Sequence, residues 1–569
     1  MLQPVIFNPL SYDPAEFDPE TRRLLRAVID WFEGRGKKRL IESYASWFAE
    51  FLAFAGERGI FAHCLIPSGA DGGNGRWDTA RNTAFNEVLA FYGINGWYTW
   101  HVTMLGLAPV WQSRNEAARH RTVELLRQGH SAAFALSEKT HGADIYATDL
   151  LLTPTAGGGF RASGSKYYIG NGNVAGIVTA FGRRTDVEGP DGYVFFLADS
   201  RHPNYTAVRN VANNHLYVAE ISFDDYPVTA DDILHTGKPA LDVALNTVNI
   251  GKFNLGTAGI GACEHAFHES LNHAHTRMLY GRRVTDFPHI RRIFSDAYLR
   301  LLAMKMFTNR AVDYMRSAHE DDRRYILFTA MSKTKVTTEA EQIVTLLWDA
   351  IAAKGFEADT HFNRVARDLP GLPRLEGTVH VNTTLILKFL HNYLLGDAPY
   401  EPVPSRTDAC DDGFLFRQGS TGRLGEVRFH DWRPAFDHFE DVPNVARFRE
   451  QVEGFRELLT NCGPDADQRQ DLDFMLPIGR LFMTFVYGHL ILEQARLTDL
   501  DRGVLDQIFA LLIRDFAGPL TELHGKPATT DQQRKHALAC LRNPAHDTAQ
   551  THDLWQGIEA IAGTYAMQP

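Results

Sequence analysis

The texture of the chain changes twice along its length, and that order limits the available folds more than any single motif does. From Pro19 to about Gln128 apolar residues recur at three- and four-residue spacing, as in RRLLRAVIDWFEG and YASWFAEFLAFAGERG, which predicts helices; a glycine-rich insert, IPSGADGGNGRWD, interrupts them at 66–78. From about Ala132 to Ile233 short β-branched and aromatic runs separated by turn residues (SKYYIGNG, AGIVTAFGR, DGYVFFLADS, HLYVAEISFDD) predict strands. Helical periodicity returns from Leu241 to Leu395, then breaks at the proline-rich DAPYEPVPSRTDACDDG (397–413). A last helical stretch, about 430–569, contains ARFREQVEGFRELL and LPIGRLFMTFVYGHLILEQARL. Most α/β enzymes alternate strands and helices instead. The expectation is an α+β chain in four parts: an N-terminal helical domain (1–131), a central antiparallel β-barrel domain (132–240), a helical-bundle domain (241–398) and a C-terminal helical extension (399–569).

Charge and composition remove several functional classes. The formal net charge is -11, and from Tyr400 onward 17 basic side chains face 26 acidic ones, a balance that repels nucleic acid. No run of about 18 uncharged apolar residues predicts a membrane span; LFMTFVYGHLIL at 481–492 has the length of a buried helix. The acidic, proline-broken start MLQPVIFNPLSYDPAEFD does not read as a signal or transit peptide, so a cytoplasmic protein is expected. The five cysteines match neither a disulfide framework nor a CxxC metal site and are expected to be reduced and buried.

Two apparent motifs lack their context. AGGGFRA (156–162) matches GxGxxA, but strand-like SGSKYYIG follows it where a dinucleotide site needs a helix, so it predicts a hairpin turn. HAFHE, with His265 and His268, is neither HExxH nor HxxEH, and no metal site is expected.

Four separated segments carry chemistry by their order and spacing: AFALSEKTHGAD (133–144), GSKYYIGNG (164–172), RMLYG (277–281) and RDLPGLPRLEGT (367–378). With them the chain resembles the acyl-CoA dehydrogenase superfamily of FAD-dependent flavoproteins, over about residues 20–395, and the remainder resembles the extension of that family's longer members. The resemblance implies that the first segment runs along the flavin ring, through Phe134, Leu136 and Ser137. In the second, Tyr168 takes the place of the family's ring-covering tryptophan and Gly170 that of a threonine. Arg277 and Tyr280 of the third correspond to RxxFG, whose arginine reaches the flavin pyrophosphate of a neighbouring subunit; a guanidinium suits this because it stays charged and grips oxygens with two donors. Thr378 is also assigned to the flavin, and Gly142, Ala143, Lys252 and Gly377 to the substrate, Lys252 standing where the family generally has arginine.

Glu376 stands nine residues after Arg367 and directly before Gly377-Thr378, the position of the family's general base. Abstraction of an α-proton from an acyl thioester needs a base within hydrogen-bond reach and a polarised carbonyl. In the family the β-hydrogen leaves as hydride to the flavin. Thr378 is also a good N-cap for the helix predicted over VHVNTTLILKFLHNYL.

The pattern is not kept everywhere. Lys139 replaces a proline, Ala143 a serine, Asp349 a glutamine, and Ala352-Ala353 a pair of glycines. Because in the family several of these positions face phosphates or substrate, the resemblance leaves both a CoA thioester and a carrier-protein thioester open. The implied activity is oxidation of an acyl thioester to a 2,3-enoyl thioester in fatty acid metabolism, by a homodimer or homotetramer that passes electrons to an electron-transfer flavoprotein. The alternatives are an oxidase using O2, an acyl-carrier-protein dehydrogenase, and a non-catalytic DNA-binding flavoprotein, the last opposed by the acidic extension.

Overall fold

The computed structural model describes residues 6–42, 44–70, 75–212, 217–396, 400–420, 422 and 424–568. Parts of three predicted stretches lie outside the described residues: 71–74 of the glycine-rich insert, 215 and 216 of a strand, and 397–399 of the proline-rich break. The chain forms two compact units, and the division falls inside the 39-residue helix Lys238–Thr276.

One unit contains Asp13–Asn254, Thr407–Gly422 and Met567–Pro569. Its first helix, Pro19–Glu33, starts where Asp18 accepts from the backbone N–H groups of Glu20 and Thr21, and it buries the stripe Leu24, Leu25, Val28, Ile29 and Phe32. The helix Ile94–Trp111 is buried at every residue. A Cβ at Gly106 would lie 2.7 Å from the backbone nitrogen of Ala133, so only glycine lets this helix meet the first strand backbone to backbone. Residues 407–422 join the same unit: Asp411 accepts from the backbone of Ser68 and Trp77, and Asp412 from that of Thr79.

The sheet of this unit comprises β1 (Ala132–Ala135), β2 (Leu151–Pro154), β3 (Phe160–Gly170), β4 (Ile177–Arg184), β5 (Tyr193–Ala198), β6 (Tyr205–Asn210), β7 (Val218–Val228) and β8 (Ile233–Thr236). Its order is β6-β7-β3-β2-β4-β5-β8, with β1 added to β4. Two expectations are corrected here. The sheet is not a closed barrel: β6 and β8 end it, and β6 is exposed at five of its six residues, as suits an edge. Nor is it purely antiparallel, because β1 and β2 both run parallel to β4. The hairpin turn expected at 156–162 joins β2 to β3, with Pro154 opposite Phe160. Alternate residues of these strands, among them Leu152, Ala162, Val178, Phe196, Ile221 and Phe223, form the unit's apolar core.

The other unit contains Met1–Tyr12, Leu255–Arg406 and Arg423–Ala566. Its long helices are the end of Lys238–Thr276 together with Pro288–Arg316, Thr337–Ile351, Pro443–Cys462, Leu472–Thr498 and Arg502–Gly525. Leu472–Thr498 packs against both Pro288–Arg316 and Arg502–Gly525. It is the one described helix long and apolar enough to cross a membrane, and 83% of its apolar window is buried within the protein. His265 stacks on His361 at 3.6 Å between ring centroids, and His268 bonds the carbonyl of Phe7. Both histidines belong to the core. Cys64, Cys263 and Cys540 are buried, but Cys410 and Cys462 are only half-buried, because they lie in surface segments of the C-terminal region.

Candidate functional site

The predicted site residues fall into two sets, one in each unit. In the unit carrying the sheet, β1 leads out through Leu136 and Ser137 while the end of β3 carries Tyr167 and Tyr168. The two exits are bonded to each other: the Ser137 hydroxyl donates to the Tyr167 carbonyl at 2.7 Å and the Tyr167 N–H to the Ser137 carbonyl at 2.9 Å. Between Lys166 and Ile169 the pairing of β3 with β7 shifts register, and Tyr168 there adopts φ 61. This irregularity presents its ring at 63% exposure. Phe134 stacks on Phe195 with centroids 5.8 Å apart. Gly142 and Ala143 lie exposed in the following loop, and Lys252 is buried on the long helix.

Gly170 has a packing reason. A Cβ there would stand 2.6 Å from Val102 Cγ1 and 2.9 Å from the Tyr98 hydroxyl, so the absence of the family's threonine follows from a tight helix-to-strand approach.

Beneath these exits lies a buried ion pair that sequence reading left unassigned, although both residues stand inside quoted segments. Lys166, fully buried, donates from Nζ to Glu138 Oε1 at 2.6 Å, to the Leu136 carbonyl at 3.0 Å and to Thr148 at 3.1 Å. Glu138 also accepts from the Thr148 hydroxyl and from the backbone N–H groups of Asp149 and Leu150. Burial pushes the Glu138 carboxyl up, but the Lys166 ammonium and these donors outweigh it and hold the group below its ordinary range.

In the helical unit, the turn that carries Glu376 is fixed on both sides. The 3₁₀ helix Leu369–Arg374 precedes it, and the Leu372 carbonyl accepts from Lys333 Nζ at 2.8 Å. Glu376 then takes φ 52 and Gly377 φ 86. Thr378 caps the helix Val379–Leu387, its hydroxyl accepting from the Val381 N–H at 3.5 Å, and Asn382 donates to the carbonyls of Gly377 and Thr378. The predicted helix is therefore present but stops at Leu387, and a separate short helix covers Leu390–Leu394. Two successive residues in the left-handed region explain why glycine follows Glu376 directly. Arg277 lies exposed just beyond the end of the long helix, and Tyr280 is 95% exposed at φ 52 on the tip of a hairpin formed by Met278–Leu279 and Arg282–Arg283.

Two groups of histidines and carboxylates converge closely enough to suggest a metal: Glu138, His141 and Asp149, and the fully buried His430, His489 and Glu493. Their hydrogen bonds argue otherwise. Lys166 already sits on the first group. In the second, Arg324 donates to His430 Nδ1 at 2.8 Å, which leaves the proton on Nε2, and Nε2 donates to Glu493 Oε1 at 2.6 Å. Arg310 Nε lies 2.5 Å from the other carboxylate oxygen. A metal cation would have to displace that proton beside two guanidinium charges, so these residues form a proton-bearing ion network.

Residues 241–391 match the family model described as acyl-CoA dehydrogenase, C-terminal domain. The short-chain specific acyl-CoA dehydrogenase of Megasphaera elsdenii is 23% identical over 319 residues, which is 55% of this chain and 81% of that protein. The acyl-CoA dehydrogenase of Bacillus subtilis is 24% identical over 296 residues, 51% of this chain and 76% of its own. Among solved structures, the acyl-CoA dehydrogenase of Bacillus anthracis complexed with FAD aligns with TM-score 0.75 at 15% identity, covering 98% of both chains. The butyryl-CoA dehydrogenase of Megasphaera elsdenii aligns with TM-score 0.59 at 22% identity, covering 66% of this chain and 98% of its own. The C-terminal region is thus part of a fold already seen in a solved relative. Residues 241–391 thus match an acyl-CoA dehydrogenase family model, and the described chain has the fold of a solved acyl-CoA dehydrogenase along nearly its whole length.

Proposed function

We propose that the protein is an FAD-dependent dehydrogenase that converts an acyl thioester to its 2,3-enoyl thioester, with Glu376 as the base that takes the α-proton. The observation that carries this reading is the conformation of Glu376, held at φ 52 between a bonded turn and a capped helix, at the family's spacing. A non-glycine residue kept in that region costs about 1–3 kcal/mol and persists where surrounding structure enforces it.

The residues present fit FAD. The exposed Tyr168 ring offers a flat face to an isoalloxazine. The Ser137 hydroxyl donates inward to Tyr167, so it turns a lone pair toward a ligand. Arg277 and Tyr280, exposed at a helix end and a hairpin tip, suit the pyrophosphate of a second copy's cofactor, which makes a homodimer or homotetramer the working form. Bound FAD would supply the hydride acceptor. Glu376 removes the proton and its backbone N–H polarises the thioester carbonyl; Gly377 beside it, and Gly142, Ala143 and Lys252 of the other unit, are the positions that the family resemblance assigns to the substrate.

An electron-transfer flavoprotein is the acceptor we favour over O2. The extension does not by itself mark an oxidase, because the solved structure that matches 98% of this chain is described as a dehydrogenase. Anaerobic titration with acyl-CoAs of different lengths tests the proposal: the bound flavin should bleach with at least one of them. Protein that cannot take up FAD contradicts it.

A further inference from the structure

We propose that Lys333 is a positioning residue for Glu376, acting through the turn that carries it; the proposal rests on Glu376 being the base. Three observations converge on Lys333. It lies in a single π-helical turn, Ser332–Val336, set between the helices Tyr325–Met331 and Thr337–Ile351. Such turns insert one extra residue, are rare, and are frequently found at functional sites. The turn is also clamped from outside, since a Cβ at Gly256 would lie 2.3 Å from Ser332 Oγ and 2.8 Å from the Ser332 carbonyl oxygen.

The second observation is the side chain itself. Lys333 is fully buried, and its Nζ donates to the Leu372 carbonyl at 2.8 Å. Burying an ammonium is costly unless its hydrogen bonds are used, and packing alone would be met by an apolar side chain. The extra residue of the π turn alters the direction in which this face of the helix projects side chains, and Lys333 reaches the catalytic turn.

The third is what the bond holds. Leu372 is four residues before Glu376, within the 3₁₀ helix Leu369–Arg374, where the Leu375 N–H bonds the Gly371 carbonyl at 3.0 Å. On the far side Asn382, 1% exposed, donates to the Gly377 carbonyl at 3.1 Å. Glu376 therefore stands between two buried side-chain donors, Lys333 bonded to the backbone before it and Asn382 to the backbone after it. A carboxylate in the left-handed region has a relaxed conformation nearby, and these anchors keep it from that state. A misplacement of about 1 Å is enough to lower a rate about 10²-fold.

The experiment compares holoenzymes of the wild type, Lys333→Met, Lys333→Arg, Glu376→Gln and the Lys333→Met/Glu376→Gln double variant. Flavin occupancy, melting temperature and the anaerobic rate of flavin bleaching are measured with an acyl-CoA that the wild type accepts. Lys333→Met is expected to keep its flavin and to bind substrate within about threefold of wild type, but to bleach at least about tenfold more slowly. Lys333→Arg, which keeps a charged donor, is expected to recover part of that rate. In the Glu376→Gln background, Lys333→Met should change the residual rate less than about twofold, because it acts only through the base. Wild-type bleaching by Lys333→Met, or equal slowing in both backgrounds, overturns the proposal. If Lys333→Met does not accumulate folded, Lys333→Gln, whose shorter neutral side chain does not reach the Leu372 carbonyl, decides, and its bleaching at the wild-type rate overturns the proposal as well. Wild-type bleaching by Glu376→Gln instead removes the base reading, a separate outcome.

Discussion

His430 Nε2 lies 2.6 Å from Glu493 Oε1, and neither residue is more than 6% exposed. Glu493, on the helix Leu472–Thr498, also accepts from Arg310 and from the hydroxyl of Tyr314, both on the helix Pro288–Arg316. The network thereby ties the C-terminal helices to the bundle that precedes them. Removing its carboxylate leaves Arg310, 1% exposed, short of a partner. Glu493→Ala is expected to lower unfolding free energy by about 3–5 kcal/mol in denaturant titration. Chelators should leave the melting temperature unchanged, since the network carries protons where a metal would sit.

The same network makes stability acid-sensitive. Burial pulls His489 down to about 3, so between that value and about 6.5 the unfolded chain binds a proton that the folded one refuses. Glu493 works in the same direction: burial raises it, but the His430 hydrogen bond and the charges around it hold it well below the ordinary carboxylate range. Its contribution is lost as pH falls below about 4.5. The melting temperature is expected to drop as pH is lowered from 7.5 to 5.0, with His489 alone contributing about 2 kcal/mol. His489→Gln should flatten that part of the profile, and a flat wild-type profile would count against the assignment.

Ala352 occupies a conformation meant for another residue. It sits at φ 54 and ψ -137 at the end of the helix Thr337–Ile351, where the family pattern has a glycine. The backbone has kept the glycine geometry while the side chain has changed. Ala352→Gly is expected to stabilise the protein by about 1 kcal/mol, read as a higher melting temperature.

Gly170→Thr restores the residue expected from the family and should nevertheless harm this protein. Its Cβ would meet Val102 and Tyr98 at 2.9 Å or less. A loss of about 1–3 kcal/mol is expected in denaturant titration, without tighter flavin binding.

What the sequence made legible was whatever rests on local pattern. The helix-to-strand-to-helix order, the hairpin at 156–162 and the Thr378 cap all depend on residues close in the chain, and all are present. Whether the sheet closes depends on contacts between β6 and β8, which no local pattern encodes, and the sheet proved open. The Lys166–Glu138 pair and the reach of Lys333 to Leu372 bring together residues 28 and 39 positions apart. The lysine in the apolar run YILFTAMSKTKV was the available clue to the second. Residues 407–422 return to the N-terminal helices through single aspartates, Asp411 and Asp412, that composition alone cannot distinguish from other acids.

The central claim is that Glu376 takes the α-proton. Its most direct test is anaerobic stopped-flow of FAD-loaded wild type and Glu376→Gln with an acyl-CoA that bleaches the wild type. The variant is expected to bind flavin and substrate yet bleach about 10²- to 10⁴-fold more slowly. Bleaching at the wild-type rate would contradict the account.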